Sequence, residues 1–324
     1  MTPDYRLTTG GRELTAALKD RLLSLRVRDV AGVENDTLEL TLDDRAPHLE
    51  LPDPGLALEL ALGYRPRLVS MGQWTIDEVG CAGWPAVATI RAVSADLKAG
   101  LKAPRERSWP DGTTLGALVQ SLAGEHGYTP VIAAELSGVV LPHIDQTESD
   151  LHLLTRLAKE HDAVAKAAGT RLVCVKRGQA KAASGQPLAA VALAAADLTS
   201  FDLTLAERGK YPAVKAYWQN VGAAERVAVT AGSGTPVLNL RHTYASADSA
   251  TRAAHARLAA VNRGAATLRL SCPGNPLLVA ETRLTLTGLR APAAGAWSVT
   301  AVTHVLDGSG YRCDIEAEQP EDEA

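Results

Sequence analysis

Cysteine is scarce and scattered in this chain. Cys81, Cys174, Cys272 and Cys313 include no C-x-x-C pair, which gives no zinc-ribbon spacing and no disulfide framework. Four separate thiols, made in a reducing compartment, are expected. Aromatic residues are only 4% of the chain, so Ala, Leu and Val must fill the interior. No apolar run approaches the roughly 20 residues of a membrane-spanning helix. Residues 1–6 lack the apolar core of a signal peptide. An excess of positive charge is missing too: the formal net charge of -4 supplies no general attraction for DNA or an anionic membrane.

Catalytic signatures are also absent. The sequence has no G-x-S-x-G elbow, no H-E-x-x-H, no Walker-type phosphate loop and no G-x-G-x-x-G after a strand. The glycine cluster Ala231-Gly-Ser-Gly-Thr235 lacks the lysine of a phosphate loop and reads as a connection between strands. His48, His126, His143, His152, His161, His242, His255 and His304 fall in no metal-ligand spacing. His152 and His161 share a helical stretch but lie too far apart along it to chelate one ion. No catalytic, cofactor-binding or metal residue is therefore assigned.

What the chain does contain is a repeat. Gly72-Gln-Trp74-Thr-Ile76-Asp-Glu-Val79 and Gly295-Ala-Trp297-Ser-Val299-Thr-Ala-Val302 share one pattern, and their surroundings match in order. Thr37-Leu-Glu-Leu40 answers Thr267-Leu-Arg-Leu270, and Leu60-Ala-Leu62-Gly63 answers Leu284-Thr-Leu286-Thr-Gly288. Thr89-Ile90-Arg-Ala92 answers Asp314-Ile315-Glu-Ala317. Each matched stretch alternates apolar and polar residues, as a half-buried strand does. Short strands at regular spacing predict an antiparallel barrel or sandwich and not a parallel sheet, and the repeat predicts a duplicated β-domain.

Between the copies the period changes. After a connector at 101–111, Thr113 or Thr114 can cap a helix with Leu115, Leu118, Val119 and Leu122 on one face, and Gly127 can end it. A second helix starts at Thr147-Glu-Ser-Asp150, whose spacing suits a capping box, and its Leu151, Leu154, Leu157 and Ala158 are expected to form a buried face. Arg171–Val175 reads as a strand. The Ala-, Gly- and Ser-rich stretch 176–196 reads as a mobile excursion. Ser246 to Asn262 is a helical stretch with Gly264 as its C-terminal glycine. The expected class is a β-rich α+β protein: two similar antiparallel β-barrel domains with a small α+β domain between them. The boundaries are 1–97 for the first barrel, 98–178 for the α+β domain and 179–198 for the excursion. The second barrel is 199–320, including helix 246–263, and 321–324 is a frayed tail.

Several residues invite a functional story. Trp74 and Trp297 could stack on a ligand, but a Trp repeated on a barrel strand is a core residue. Asp145, Glu148, Asp150 and Asp162 could form an acid/base pair for glycan cleavage, but acids at a helix start are caps and macrodipole partners. Pro273-Gly-Asn-Pro276 reads as a tight turn in which Gly or Asn takes positive φ.

The ordered set of motifs resembles a known family. Its parts are Leu14 to Asp29 with Asp36-Thr-Leu-Glu-Leu40, and Leu60-Ala-Leu62-Gly63-Tyr64 running into Gly72 to Val79. The others are Gln146-Thr-Glu148-Ser149-Asp150-Leu151 with Leu154, Leu157 and Ala158, and Gly274-Asn-Pro276 with Trp297, His304, Gly310-Tyr311 and Ile315-Glu316. Together they resemble the late control D proteins of contractile-tailed phages, which are baseplate hubs akin to the N-terminal part of VgrG, the type VI secretion spike protein, and to R-type pyocin hubs. The resemblance implies a virion structural protein without enzymatic activity or cofactor, assembled in the host bacterial cytoplasm and located in the tail baseplate. It implies a homotrimer whose paired barrels make a pseudo-six-fold ring between a hexameric tail tube and a trimeric spike.

The implied partners are a separate spike protein, the tail tube or tube-initiator protein, other baseplate proteins and the tape-measure protein. DNA would pass through the lumen without specific binding, past a neutral or acidic wall. A cell-wall-degrading enzyme would instead need a carboxylate pair or metal centre in a cleft, and a carbohydrate-binding tail module would need exposed Trp and Tyr clusters on loops. Transcriptional regulation is not supported, since no basic recognition helix is present.

Overall fold

Alternating apolar positions become the inward faces of paired strands. The computed structural model describes residues 2–32, 36–94, 99–168, 170–177, 189–206 and 211–320. The first copy of the repeat comprises β1 (Pro3–Thr9), β2 (Arg12–Glu13), α1 (Thr15–Leu18), β3 (Leu22–Val30), β4 (Thr37–Asp43), β5 (Ala57–Tyr64), β6 (Arg67–Ala82) and β7 (Val87–Ser94). Its hydrogen-bonded order is β3-β4-β7-β6-β5-β1, followed by the short β2. Neighbours along it run antiparallel. Leu38 and Leu40 on β4, Trp74 and Ile76 on β6, and Ile90 and Ala92 on β7 are all buried.

The middle segment carries α2 (Ala99–Lys102), β8 (Arg107–Trp109), α3 (Leu115–Glu125), β9 (Thr129–Ile132), α4 (Ala134–Ser137), β10 (Ile144–Gln146), α5 (Asp150–Glu160), β11 (Ala163–Ala168) and β12 (Arg171–Lys176). Thr114 caps α3 by accepting from the Ala117 amide, and Gly127 takes positive φ after it. The expected capping box at Thr147 is not what starts α5. Ser149 is the N-cap and accepts from the His152 amide at 3.2 Å, which leaves Asp150 inside the first turn with its carboxylate free for longer-range partners.

The second copy begins earlier than its sequence pattern indicated. β13 (Val191–Ala194) is followed by a 3-10 turn and β14 (Ser200–Leu205). The chain then departs through β15 (Ala213–Asn220), β16 (Glu225–Gly232), β17 (Val237–Tyr244) and α6 (Ala247–Arg263). It returns as β18 (Ala266–Pro273), β19 (Arg283–Thr287), β20 (Gly295–Asp307) and β21 (Gly310–Glu318). The order in this copy is β14-β18-β21-β20-β19-β13. Strand for strand this repeats β3-β4-β7-β6-β5-β1, and the matched tetrapeptides lie on equivalent strands. One difference is direction: β1 pairs antiparallel with β5, whereas β13 pairs parallel with β19. The copies join through an antiparallel β3–β20 pair running from Ala301↔Val30 to Asp307↔Ser24.

Two expected boundaries are corrected. Residues 199–320 are not one compact domain, because β15, β16 and β17 form their own sheet covered by α6. Val214, Ala216, Ala250 and Ala254 are the centre of that local core. Chain contacts accordingly define one unit of Met1–Leu97, Ala189–Asp202 and Leu268–Ala317, and a second of Lys98–Leu188, Leu203–Thr267 and Glu318–Ala324. The expected excursion is corrected at its end, where Val191–Ala194 hydrogen-bonds to β19 as a strand. Residues 178–188, Asn35 of the expected turn, the period change at Leu97 and the tail 321–324 lie outside the described residues. Gly264 follows α6 with φ -69, so it ends the helix without the left-handed conformation expected of it. In the expected turn, neither Gly274 nor Asn275 has positive φ.

Candidate functional site

The fold gives Asp145, Glu148, Asp150 and Asp162 different partners. Asp145 is exposed and hydrogen-bonds His143 at 3.0 Å. Glu148 receives Arg156 at 2.7 Å, and Asp162 receives Arg263 through both of its oxygens. Asp150 is fully buried. Its carboxylate accepts from Gln146 Nε2 at 2.7 Å, from Arg107 at 3.1 and 3.2 Å, and lies 2.8 Å from His126 Nε2. Arg105 stands 3.6 Å away.

Glu125, His126 and Asp150 are the one group among the described residues with metal-ligand proximity. Two arginines occupy it. Arg107 hydrogen-bonds Glu125 at 2.8 Å as well as Asp150, and that hydrogen bond holds the Glu125 carboxyl below its ordinary range. A cation placed there would face two guanidinium groups, so the cluster suits structural anchoring. The whole Gln-x-Glu-Ser-Asp motif is accounted for in this way. Gln146 accepts from buried Trp109 Nε1 at 2.9 Å and donates to Asp150. Glu148 anchors Arg156, Ser149 caps α5, and Asp150 joins α5 to β8 and α3.

The second motif set converges inside the second barrel repeat. His304 is fully buried. Its Nε2 lies 3.0 Å from the Leu278 carbonyl, which can only accept, so Nε2 carries the proton. Nδ1 must then accept from the Tyr311 hydroxyl at 2.8 Å. Burial lowers the His304 pKa and raises that of Tyr311, which favours this neutral pair. The Gly274 amide donates to the Tyr311 carbonyl at 2.9 Å, and Asn275 N donates to Cys313 Sγ at 3.2 Å. Cys272 and Cys313 are both buried free thiols close enough to shift each other's titration, so these two are neighbours and not the separate residues expected. Trp74 and Trp297 are core residues at 3% and 1% exposure. Trp297 Nε1 donates to the Ala293 carbonyl at 3.0 Å, whereas Trp74 Nε1 is buried without a partner.

Chemistry gives way to surface. β14 lies at one end of the sheet path with Phe201 and Leu205 exposed, a strand edge that isolated proteins normally cover or charge. Trp84 is 89% exposed at the β6–β7 turn. The equivalent β20–β21 turn is polar: Asp307 accepts from the Ser309 hydroxyl, from Arg312 at 2.8 Å and from Ser309 N at 2.9 Å, which together hold its pKa at about 2. The two copies therefore share a framework and present different turns. Sequence periodicity could not find β14's role, because an edge strand and an inner strand alternate in the same way.

Comparison with known proteins agrees with this picture. Residues 82–309 match the family described as phage tail baseplate hub (GPD). The probable baseplate hub protein of Escherichia phage P2 is 32% identical over 98% of this chain and 93% of its own length. Among solved structures, the 43 kDa tail protein of prophage MuSo2 from Shewanella oneidensis superposes with a TM-score of 0.73 at 12% identity, over 98% of both chains. The E. coli c3393 protein, a component of the type VI secretion system, has a TM-score of 0.56 at 14% identity, over 98% of this chain and 77% of its own.

Proposed function

Since the chain belongs to the phage tail baseplate hub family, we propose that three copies close into a ring joining a hexameric tail tube to a trimeric central spike. The observation that carries this reading is the strand order repeated in the two copies. Three chains with two such copies each present six similar strand sets to a six-fold tube. The segments found once per chain, β8 to β12 and the β15–β17 sheet with α6, keep three-fold symmetry for the spike. Ring closure needs heterologous contacts between unlike faces of neighbouring copies. The exposed β14 edge and its apolar residues supply one such face.

The mechanism is adaptor geometry, with no bond made or broken. Host-cytoplasmic assembly and contact with the tape-measure protein belong to the same proposal. Purified chain mixed with the tube and spike proteins of its own particle tests it in sedimentation. Tube and spike are expected to co-sediment only when the chain is present. A chain that binds neither partner at micromolar concentration would overturn the adaptor role.

A further inference from the structure

A cavity of about 360 Å³ opens beside α6 in the second unit, between the end of α5 and the face of the helix that carries Arg252 and His255. Its polar lining includes His161, Asp162, Lys176, Arg252 and Asn262. Helix α5 ends at His161, and Asp162 takes a left-handed φ of 48 directly after it. This turn sets the imidazole against the cavity while the Asp162 carboxylate is drawn to Arg263.

Three observations separate this cavity from an ordinary solvent dimple. His161 is 6% exposed; among the described residues its ring nitrogens make no hydrogen bond and keep contact with the solvent of the cavity, while its backbone carbonyl accepts from Lys176 Nζ at 2.9 Å. Arg252 Nε is buried and unpaired, and the guanidinium has one long hydrogen bond, 3.4 Å to Ser249 Oγ. The nearby acids are already matched elsewhere. Asp162 is paired with Arg263, and Glu160, which feels Arg156, His242 and Arg252, is within 3.7 Å of Arg156. Among the described residues no carboxylate ion-pairs with Lys176 or Arg252.

A buried polar atom without a partner, as Arg252 Nε is, is rare because it has lost water and gained nothing. A water molecule could satisfy a lone imidazole. It would not balance an ammonium and a guanidinium set beside that imidazole, whereas an oxyanion would satisfy all three through charge-assisted hydrogen bonds. We propose that this cavity is a binding site for a small oxyanion, a phosphoryl or carboxylate group, held by Arg252 and Lys176 with His161 donating from its ring. Burial and the two neighbouring cations depress the His161 pKa to about 4, so at neutral pH the empty site holds a neutral ring with one N–H to donate.

Calorimetric titration of the full-length chain at fixed ionic strength tests this, with inorganic phosphate in one arm and acetate in the other. Saturable binding with one site per chain is expected, and the tighter arm identifies the ligand group. Arg252→Gln should weaken that binding about tenfold or more, the usual scale for a lost charge-assisted hydrogen bond. Lys176→Met should act in the same direction and serves as a second variant if the first folds poorly. Arg241→Gln, an exposed cation outside the cavity lining, should leave affinity within about threefold. No saturable heat up to about 10 mM of either anion, or unchanged affinity in folded Arg252→Gln, overturns the site.

Discussion

Gly274→Ala is expected to destabilise the second barrel repeat by about 3 kcal/mol or more. A methyl group added at this position would meet the Tyr311 ring at 2.1 Å, well inside any tolerable contact. Tyr311 has little room to yield. Its hydroxyl is held by His304, its carbonyl accepts from the Gly274 amide, and its ring lies 5.6 Å from that of Tyr64. The added carbon must therefore move a buried, hydrogen-bonded ring or push apart the loop after β18 and strand β21. Thermal denaturation by circular dichroism checks this against Gly124→Ala in α3. A Cβ at Gly124 meets nothing within 4 Å, so helix propensity should leave that control unchanged or about 0.5–1 kcal/mol more stable. Equal midpoints for the two variants would show that Gly274 is merely a turn residue.

The second large effect is expected at Asp150. Replacing Asp150 with Ala removes the shared acceptor of Arg107, Gln146 and His126 from a site with no solvent access. Arg107 keeps Glu125, but Gln146 and His126 lose a buried partner, and positive charge is left less compensated in a low-dielectric surrounding. Breaking a buried pair from one side typically costs about 3–5 kcal/mol. Asp145→Ala, at an exposed residue of the same segment, should change stability by less than about 0.5 kcal/mol. A chemical denaturation curve for each variant decides the matter. A small loss for Asp150→Ala would mean that the α5 start is held by Ser149 capping alone.

These two positions also show what the sequence could and could not disclose. The duplication was legible because both copies place Trp and a β-branched residue at the same inward spacing, Trp74 with Ile76 and Trp297 with Val299. The insertion between β14 and β18 was not. β15 and β16 alternate with the same period as barrel strands, and periodicity reports that a strand has a buried face without naming what covers it. Here the cover is α6. The Ala-rich strand β13 was hidden for a related reason, since small residues at both faces look like linker composition. Asp150 carried a helix-start signal that was correct in place and wrong in role, because its partner Arg107 is remote in sequence. Gly274 looked like a turn glycine, and only the position of Tyr311 shows that close approach is what requires it. The placing of Arg252 beside His161 on one cavity had no local signature at all.

In the proposed assembly, one chain with two copies of a strand set builds a ring that reads as three-fold and six-fold together. Native mass measurement combined with negative-stain class averages on the purified chain tests this most directly. The account predicts a particle of three chain masses with six similar lobes around an open centre, and loss of that particle when Phe201 and Leu205 on β14 are both changed to Lys. A monomer without a central opening, unchanged on adding the spike protein, would contradict it.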